Sequence, residues 1–317
     1  MNPTNHPAPP SADANEAAYA IVVDGVTKRY GGRAVVENLS FTVSPGRVTG
    51  FLGPNGSGKS TAMKIMLDLA VAHEGAVTIG GHRYRNLPDA PRTVGAMIES
   101  DAFHPGRSGR NHLRVVADAT GIPHSRVAET LELVGLTSAA DRKAGTYSLG
   151  MRQRLGLAAA LMGQPPVLIL DEPGNGLDPQ GIRDLRDLLR AHTGRGGTVL
   201  VSSHLMTEVE LLVDDVVVIN AGRLVAHGPL AELQQPTTLV RTSHPDRLAA
   251  ALEGSGAKTH AHGEDGLIVQ GMPIDEIGER AFASGIALHE LSSHASSLED
   301  LFLSWTAPPR NDEEAGR

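Results

Sequence analysis

Gly53-Pro54-Asn55-Gly56-Ser57-Gly58-Lys59-Ser60 fits the spacing G-x-x-x-x-G-K-[ST]. The chemistry open to this pattern is narrow. Glycines let the backbone curl until successive N–H groups point inward at phosphate oxygens, a following helix adds positive potential at its N-terminus, and the lysine reaches the outer phosphates. Gly53, Pro54, Asn55, Gly56, Ser57, Gly58 and Lys59 then cradle a nucleotide together with Ser60 and Thr61, and Ser60 also ligates Mg2+. A second segment, Val167-Leu168-Ile169-Leu170-Asp171-Glu172, is an apolar run ending in two carboxylates. At the C-terminal end of a strand, where ligands sit in open α/β sheets, Asp171 would hold Mg2+ through its water shell and Glu172 would polarise an attacking water. The plainer reading of the pair is a charged helix cap after a buried strand.

The elements around these segments have to put them in one place. Val48–Leu52 reads as a buried strand, and apolar residues recur at Met63, Met66, Leu67 and Ala70, so Ser60–Ala70 reads as a helix. Strand, glycine loop and helix thus follow in the order a phosphate cradle needs. Between Ala20 and Val43, β-branched runs broken by Gly31-Gly32 and ended by Pro45-Gly46 read as antiparallel strands. Val77–Ile79 and Val94–Ile98 read as strands, whereas Asn111 to Met162 carries helical periodicity. Strand signals return at Val167–Leu170, Thr198–Val201 and Val216–Ile219, with helical stretches near Arg183–His192 and Met206–Leu212, the alternation of a parallel α/β sheet. One α/β domain is expected over 19–235, with an antiparallel β subdomain and a helical insertion at about 105–163. Beyond Gln235-Pro236 the order becomes strand (Thr238–Thr242), helix (Pro245–Leu252), strand (Ala257–Ala261), strand (Leu267–Gln270), helix (Ile274–Ala283), strand (Ile286–Glu290). This predicts a small α+β domain of ferredoxin-like order over 236–305, closed by a helix at Leu298–Trp305.

Composition narrows the function classes. The 317 residues include no cysteine, which removes disulfides and thiolate metal sites, and 28 Lys plus Arg against 36 Asp plus Glu leave a net charge of −8, which argues against a general nucleic-acid binder. No run approaches the length of a membrane-spanning helix. Residues 1–18 and 306–317 read as disordered tails, and the start lacks the order of a secretory signal. His244, His260, His262, His289 and His294 show no metal-ligand spacing.

Ser148-Leu149-Gly150-Met151-Arg152-Gln153 precedes the Val167 strand, and with it the chain resembles the ATP-binding cassette (ABC) proteins, whose signature segment stands at this place. It departs from the commonest form, Leu-Ser-Gly-Gly-Gln, at Tyr147, Leu149 and Met151. The resemblance implies a P-loop cassette that binds ATP and Mg2+ and closes as a pair, with Ser148 and Gly150 contacting the γ-phosphate held by the second cassette. Ser148 could equally cap the helix that follows. By the same resemblance Tyr30 stacks on adenine, His204 senses the γ-phosphate, and Asp178 in Asn175-Gly176-Leu177-Asp178 belongs to the loop that signals between cassettes. Plain packing, a core histidine and a helix cap are the respective alternatives. Where the family usually has a glutamine, Val94-Gly95-Ala96-Met97-Ile98 runs into Glu99, a carboxylate able to ligate the metal.

Ile98-Glu99 followed by Phe103-His104-Pro105-Gly106, together with Tyr147-Ser148-Leu149-Gly150-Met151-Arg152-Gln153-Arg154, is similar to the subgroup of bacterial exporters that includes bacitracin and lantibiotic self-protection systems. That similarity implies an ATPase driving export of a peptide, antibiotic or lipid-like compound through a separate transmembrane permease. The partner cassette is expected to be a second copy of the chain, nucleic acid is not expected as a partner, and the place of work is the cytoplasmic face of the plasma membrane, peripherally. A regulatory ABC ATPase outside transport is the alternative. A module without turnover is disfavoured by Lys59, Asp171, Glu172 and His204 standing together in one chain.

Overall fold

Residues 19–98, 103–203, 206–234, 236–263, 265–295, 298–299 and 301–302 are described by the computed structural model. Contacts divide the chain into two units, Met1–Gly228 and Pro229–Arg317, whereas the sequence reading draws its boundary at 235. The expected tails, 1–18 and 306–317, lie outside the described residues.

The first unit opens with β1 (Ile21–Tyr30) and β2 (Arg33–Val43), which pair antiparallel across the Gly31-Gly32 turn. After β3 (Val48–Leu52) come helix α1 (Lys59–Met66), β4 (Glu74–Ile79) and β5 (Val94–Met97). The helical insertion supplies α2 (Gly109–Thr120), α3 (Ser125–Leu133) and α4 (Leu149–Leu161). The chain returns through β6 (Val167–Leu170), α5 (Pro179–Thr193), β7 (Thr198–Ser202), β8 (Asp215–Asn220) and β9 (Arg223–Pro229).

Two sheets result. One has the order β2-β1-β4, and the other β5-β6-β7-β3-β8-β9. Every pairing recorded from β5 through β6, β7 and β3 to β8 is parallel. A parallel sheet is covered on both faces, which explains why every residue of β3, β6 and β7 is buried and why aliphatic residues predominate in them. In that order β7 lies between β6 and β3, so the C-terminal ends of three neighbouring strands open on one crevice.

Some bounds differ from the sequence reading for local reasons. Helix α1 stops at Met66 rather than Ala70, because Asp68 takes a left-handed φ of 54° and the N–H groups of Leu69 and Ala70 turn back to Lys64 O. Helix α5 starts four residues ahead of Arg183, at Pro179, where Asp178 caps it and proline is pre-set at its first position.

The second unit carries β10 (Pro236–Thr242), α6 (Pro245–Leu252), β11 (Lys258–His262), β12 (Gly266–Gln270), α7 (Ile274–Ala283) and β13 (Leu288–Ala295). Its sheet has the order β11-β12-β10-β13 with antiparallel pairs throughout. Val240, Leu267 and Val269 face Leu248, Leu252, Ile277 and Ala281 of the two helices in a core of their own. The last strand begins at Leu288 rather than Ile286, since Gly285 turns the chain at φ 65° and Ile286 is buried in that core. Among the described residues no helix is long and apolar enough to cross a membrane.

Candidate functional site

The glycine loop leaves β3 at Gly53 and enters α1 at Lys59. Gly58 is the residue before the helix, at φ 104°, and a Cβ on it would meet Val35 O at 2.6 Å, so both backbone angle and space demand glycine. The loop is braced from behind by the Gly222 N–H, which donates to Ser57 O at 3.0 Å. Lys59 is buried, and its ammonium donates to Gly53 O at 2.6 Å and Pro54 O at 3.3 Å. Burial pulls the Lys59 pKa below its usual value, partly offset by the nearby Glu172 and Asp171 carboxylates. A cleft of about 260 Å³ lies in front, with Val35, Asn55, Gly56, Gly58, Lys59, Ser60 and Thr61 on its walls together with Asp171 and Glu172. The loop and the carboxylate pair, distant in sequence, therefore share one cavity.

The strand ends explain how. Asp171 follows β6, its N–H donating to Met97 O of β5 at 2.6 Å. Ser202, the last residue of β7 on the other side of β6, is fully buried. Its hydroxyl donates to Asp171 Oδ1 and accepts the Glu172 N–H at 2.9 Å. Glu172 itself adopts a left-handed φ of 52°, unusual for a residue with a side chain and held here by that bond. Ser202 did not figure among the candidates from sequence, where it is one small polar residue closing a strand. Its partners become visible only when β7 is seated beside β6.

The oxygen donors of Ser60 and Asp171 suit a hard divalent cation such as Mg2+. Both residues line the cleft in front of the loop. The donor chemistry therefore fits a phosphate-bound magnesium ion.

The remaining candidates lie elsewhere or outside the described residues. Tyr30 ends β1, is 53% exposed, and carries the Lys28 ammonium 5.0 Å from its ring centroid. Ser148 caps α4 by accepting the Met151 N–H at 3.3 Å, and Asp178 caps α5 by accepting the Gly181 N–H at 2.8 Å. The capping alternatives are thus realised within the chain. Gly150 lies against the same loop as Asp178, since a Cβ on it would meet Gly176 O at 2.8 Å. None of Tyr30, Ser148, Gly150 and Asp178 lines the cleft that holds Lys59. Glu99 and His204 lie outside the described residues.

A parallel sheet with a phosphate-type loop after β3 and paired carboxylates after β6 defines a P-loop nucleotide-binding protein. The model of the family "ABC transporter" matches residues 36–175, and a "Domain of unknown function (DUF8746)" matches residues 236–299. The uncharacterized ABC transporter ATP-binding protein YhcH of Bacillus subtilis is 37% identical over 293 residues, covering 90% of this chain and 96% of that protein. The bacitracin transport ATP-binding protein BcrA of Enterococcus faecalis is also 37% identical over 293 residues, covering 90% and 95%. Among solved structures, an ATP-binding subunit of an ABC transporter superposes with a TM-score of 0.62 at 28% identity, over 68% of this chain and 91% of that one. The chain belongs to the ATP-binding proteins of the ABC transporter family.

Proposed function

We propose that this chain hydrolyses ATP to power a separate transmembrane permease, working peripherally at the cytoplasmic face of the membrane as one of two identical cassettes. The observation that carries this reading is the single cleft onto which Lys59, Asp171 and Glu172 all open. The loop N–H groups and Lys59 hold the phosphates, and Tyr30 stacks on the adenine. Ser60, Asp171 and Glu99 hold Mg2+, which when bound neutralises charge on the phosphate oxygens. Glu172 orients the attacking water and withdraws its proton, with His204 close to the γ-phosphate. Ser202 keeps the two carboxylate residues in register. Ser148 and Gly150 of a second copy close the site from the far side, and Asp178 lies in the loop between the two sites. Because the triphosphate bridges both copies, it favours only the closed pair, and hydrolysis removes that bridge.

The similarity to BcrA, added to the subgroup resemblance of the Ile98-Glu99 and Phe103–Gly106 segments, supports export of a peptide, antibiotic or lipid-like compound. We also propose that residues 236–305 form a ferredoxin-like domain, for which the element order and the sheet order β11-β12-β10-β13 speak.

Glu172→Gln tests the assignment. It should retain ATP binding, lose roughly 100-fold or more in turnover, and accumulate as an ATP-bound dimer on size-exclusion chromatography with light scattering. Turnover at the parent rate would remove Glu172 from the reaction.

A further inference from the structure

Leu149 and Gly176 are fitted to each other across two elements that the proposed function assigns to different nucleotides. Leu149 opens α4, between Ser148 and Gly150. Gly176 lies in the loop leading from Glu172 to the Asp178 cap of α5. Gly176 has a φ of 74°, and a Cβ on it would lie 3.1 Å from Leu149 Cβ and nearer still to its Cγ and Cδ2. The bare Cα of Gly176 is therefore what gives the leucine its seat. One residue on, the fit repeats: a Cβ on Gly150 would meet Gly176 O at 2.8 Å and Leu177 Cδ2 at 3.5 Å. Further along the same helices the Arg154 guanidinium donates to Asp184 Oδ2 at 3.1 Å. These contacts join the first turns of α4 to the 175–178 loop and the start of α5. Where the commonest signature has a glycine, this chain supplies an isobutyl group that its own loop glycine accommodates.

We infer that Leu149 is a positioning residue, whose side chain on Gly176 holds the Ser148-Gly150 segment in fixed register with the loop that continues from Asp171 and Glu172. The inference rests on the reading in which Ser148 and Gly150 serve the nucleotide of a second copy. Each chain then supports one site through its carboxylates and the other through its signature segment. The Leu149–Gly176 contact is a short mechanical link between those roles, made at the surface, where Leu149 remains 40% exposed.

The test uses the full-length chain and its Leu149→Ala, Leu149→Met, Gly176→Ala and Leu149→Ala/Gly176→Ala variants. ATP affinity is measured on dilute, monomeric protein, and kcat, KM and the Hill coefficient are measured at dimer-forming concentration. Leu149→Ala should keep monomer affinity within about twofold while kcat falls roughly tenfold and the Hill coefficient drops toward about 1. Leu149→Met, of similar volume, should restore most of the turnover. Gly176→Ala should cost far more turnover beside Leu149 than beside alanine. The left-handed backbone strain is common to both backgrounds and cancels in that comparison, so the difference reports the contact. Parent kcat and cooperativity in Leu149→Ala, or an equal cost of Gly176→Ala in both backgrounds, would overturn the inference and leave the proposed function standing. A parent chain that binds no ATP would overturn both.

Discussion

The hydroxyl of Ser202 donates to the Asp171 carboxylate, and the same oxygen accepts the Glu172 backbone N–H at 2.9 Å. One buried side chain from β7 thereby fixes the direction of the carboxylate that follows β6 and the left-handed turn after it. Ser202→Ala should leave Asp171 without that partner and lower ATP turnover by roughly tenfold or more, in line with the ~1–3 kcal/mol cost of an unsatisfied buried group. Steady-state turnover beside a thermal melt checks this. A fall in melting temperature with turnover intact would make Ser202 a purely structural residue.

Lys59 should make nucleotide affinity pH-dependent. Only the ammonium form attracts phosphate, and burial places its pKa below the usual 10.5. The sign follows: affinity for ATP is highest while Lys59 is protonated and declines as pH rises through the lowered value, earlier than an ordinary lysine would allow. Titration calorimetry with ATP at successive alkaline pH values should show Kd rising. The same series on Lys59→Met, which carries no ionisable group there, should show weak binding without that rise.

Gly58→Ala should weaken phosphate binding without unfolding the chain. The new Cβ would press on Val35 O at 2.6 Å and sit at φ 104°, so the loop must move to relieve it. ATP affinity should fall by at least about tenfold while the circular dichroism spectrum is retained. Affinity equal to the parent would show that the loop tolerates a side chain facing β2.

A histidine far from the cleft should govern part of the acid sensitivity. His192 in α5 is buried beside Pro166 O, 3.2 Å from Nε2. Burial first, and Arg195 in addition, hold its pKa below the ordinary 6.5, with the bond to Pro166 acting in the opposite sense. Between the folded and unfolded values the unfolded chain binds more protons, so unfolding free energy increases with pH across that window. The stability is complete above 6.5 and is lost as pH falls toward the folded value. Urea midpoints between about pH 5 and 7 should therefore slope less in His192→Gln than in the parent. Equal slopes would mean that His192 takes up its proton without cost.

The local pieces were legible because each is contiguous. The run from Val48 to Met66 states strand, loop and helix by its own residues, and Val167 to Glu172 shows a buried strand ending in acids. Helix ends were less legible: the left-handed turn at Asp68 carries no glycine to announce it, and α1 stops there regardless. Ser202 was illegible for a different reason, since its partners come from another strand and no spacing within its own segment points at them.

Residue types and their order therefore determined, without any coordinates, that this chain is an α/β protein of the ABC family with a phosphate-type loop and two acids at a strand end. Only the tertiary structure decided that β7 lies between β6 and β3, which sets Ser202 between the carboxylates and the loop, and that Leu149 rests on Gly176. The physical reason is range. Propensity and periodicity act between residues a few positions apart, whereas packing and hydrogen bonding select partners that the chain brings together from far along its length.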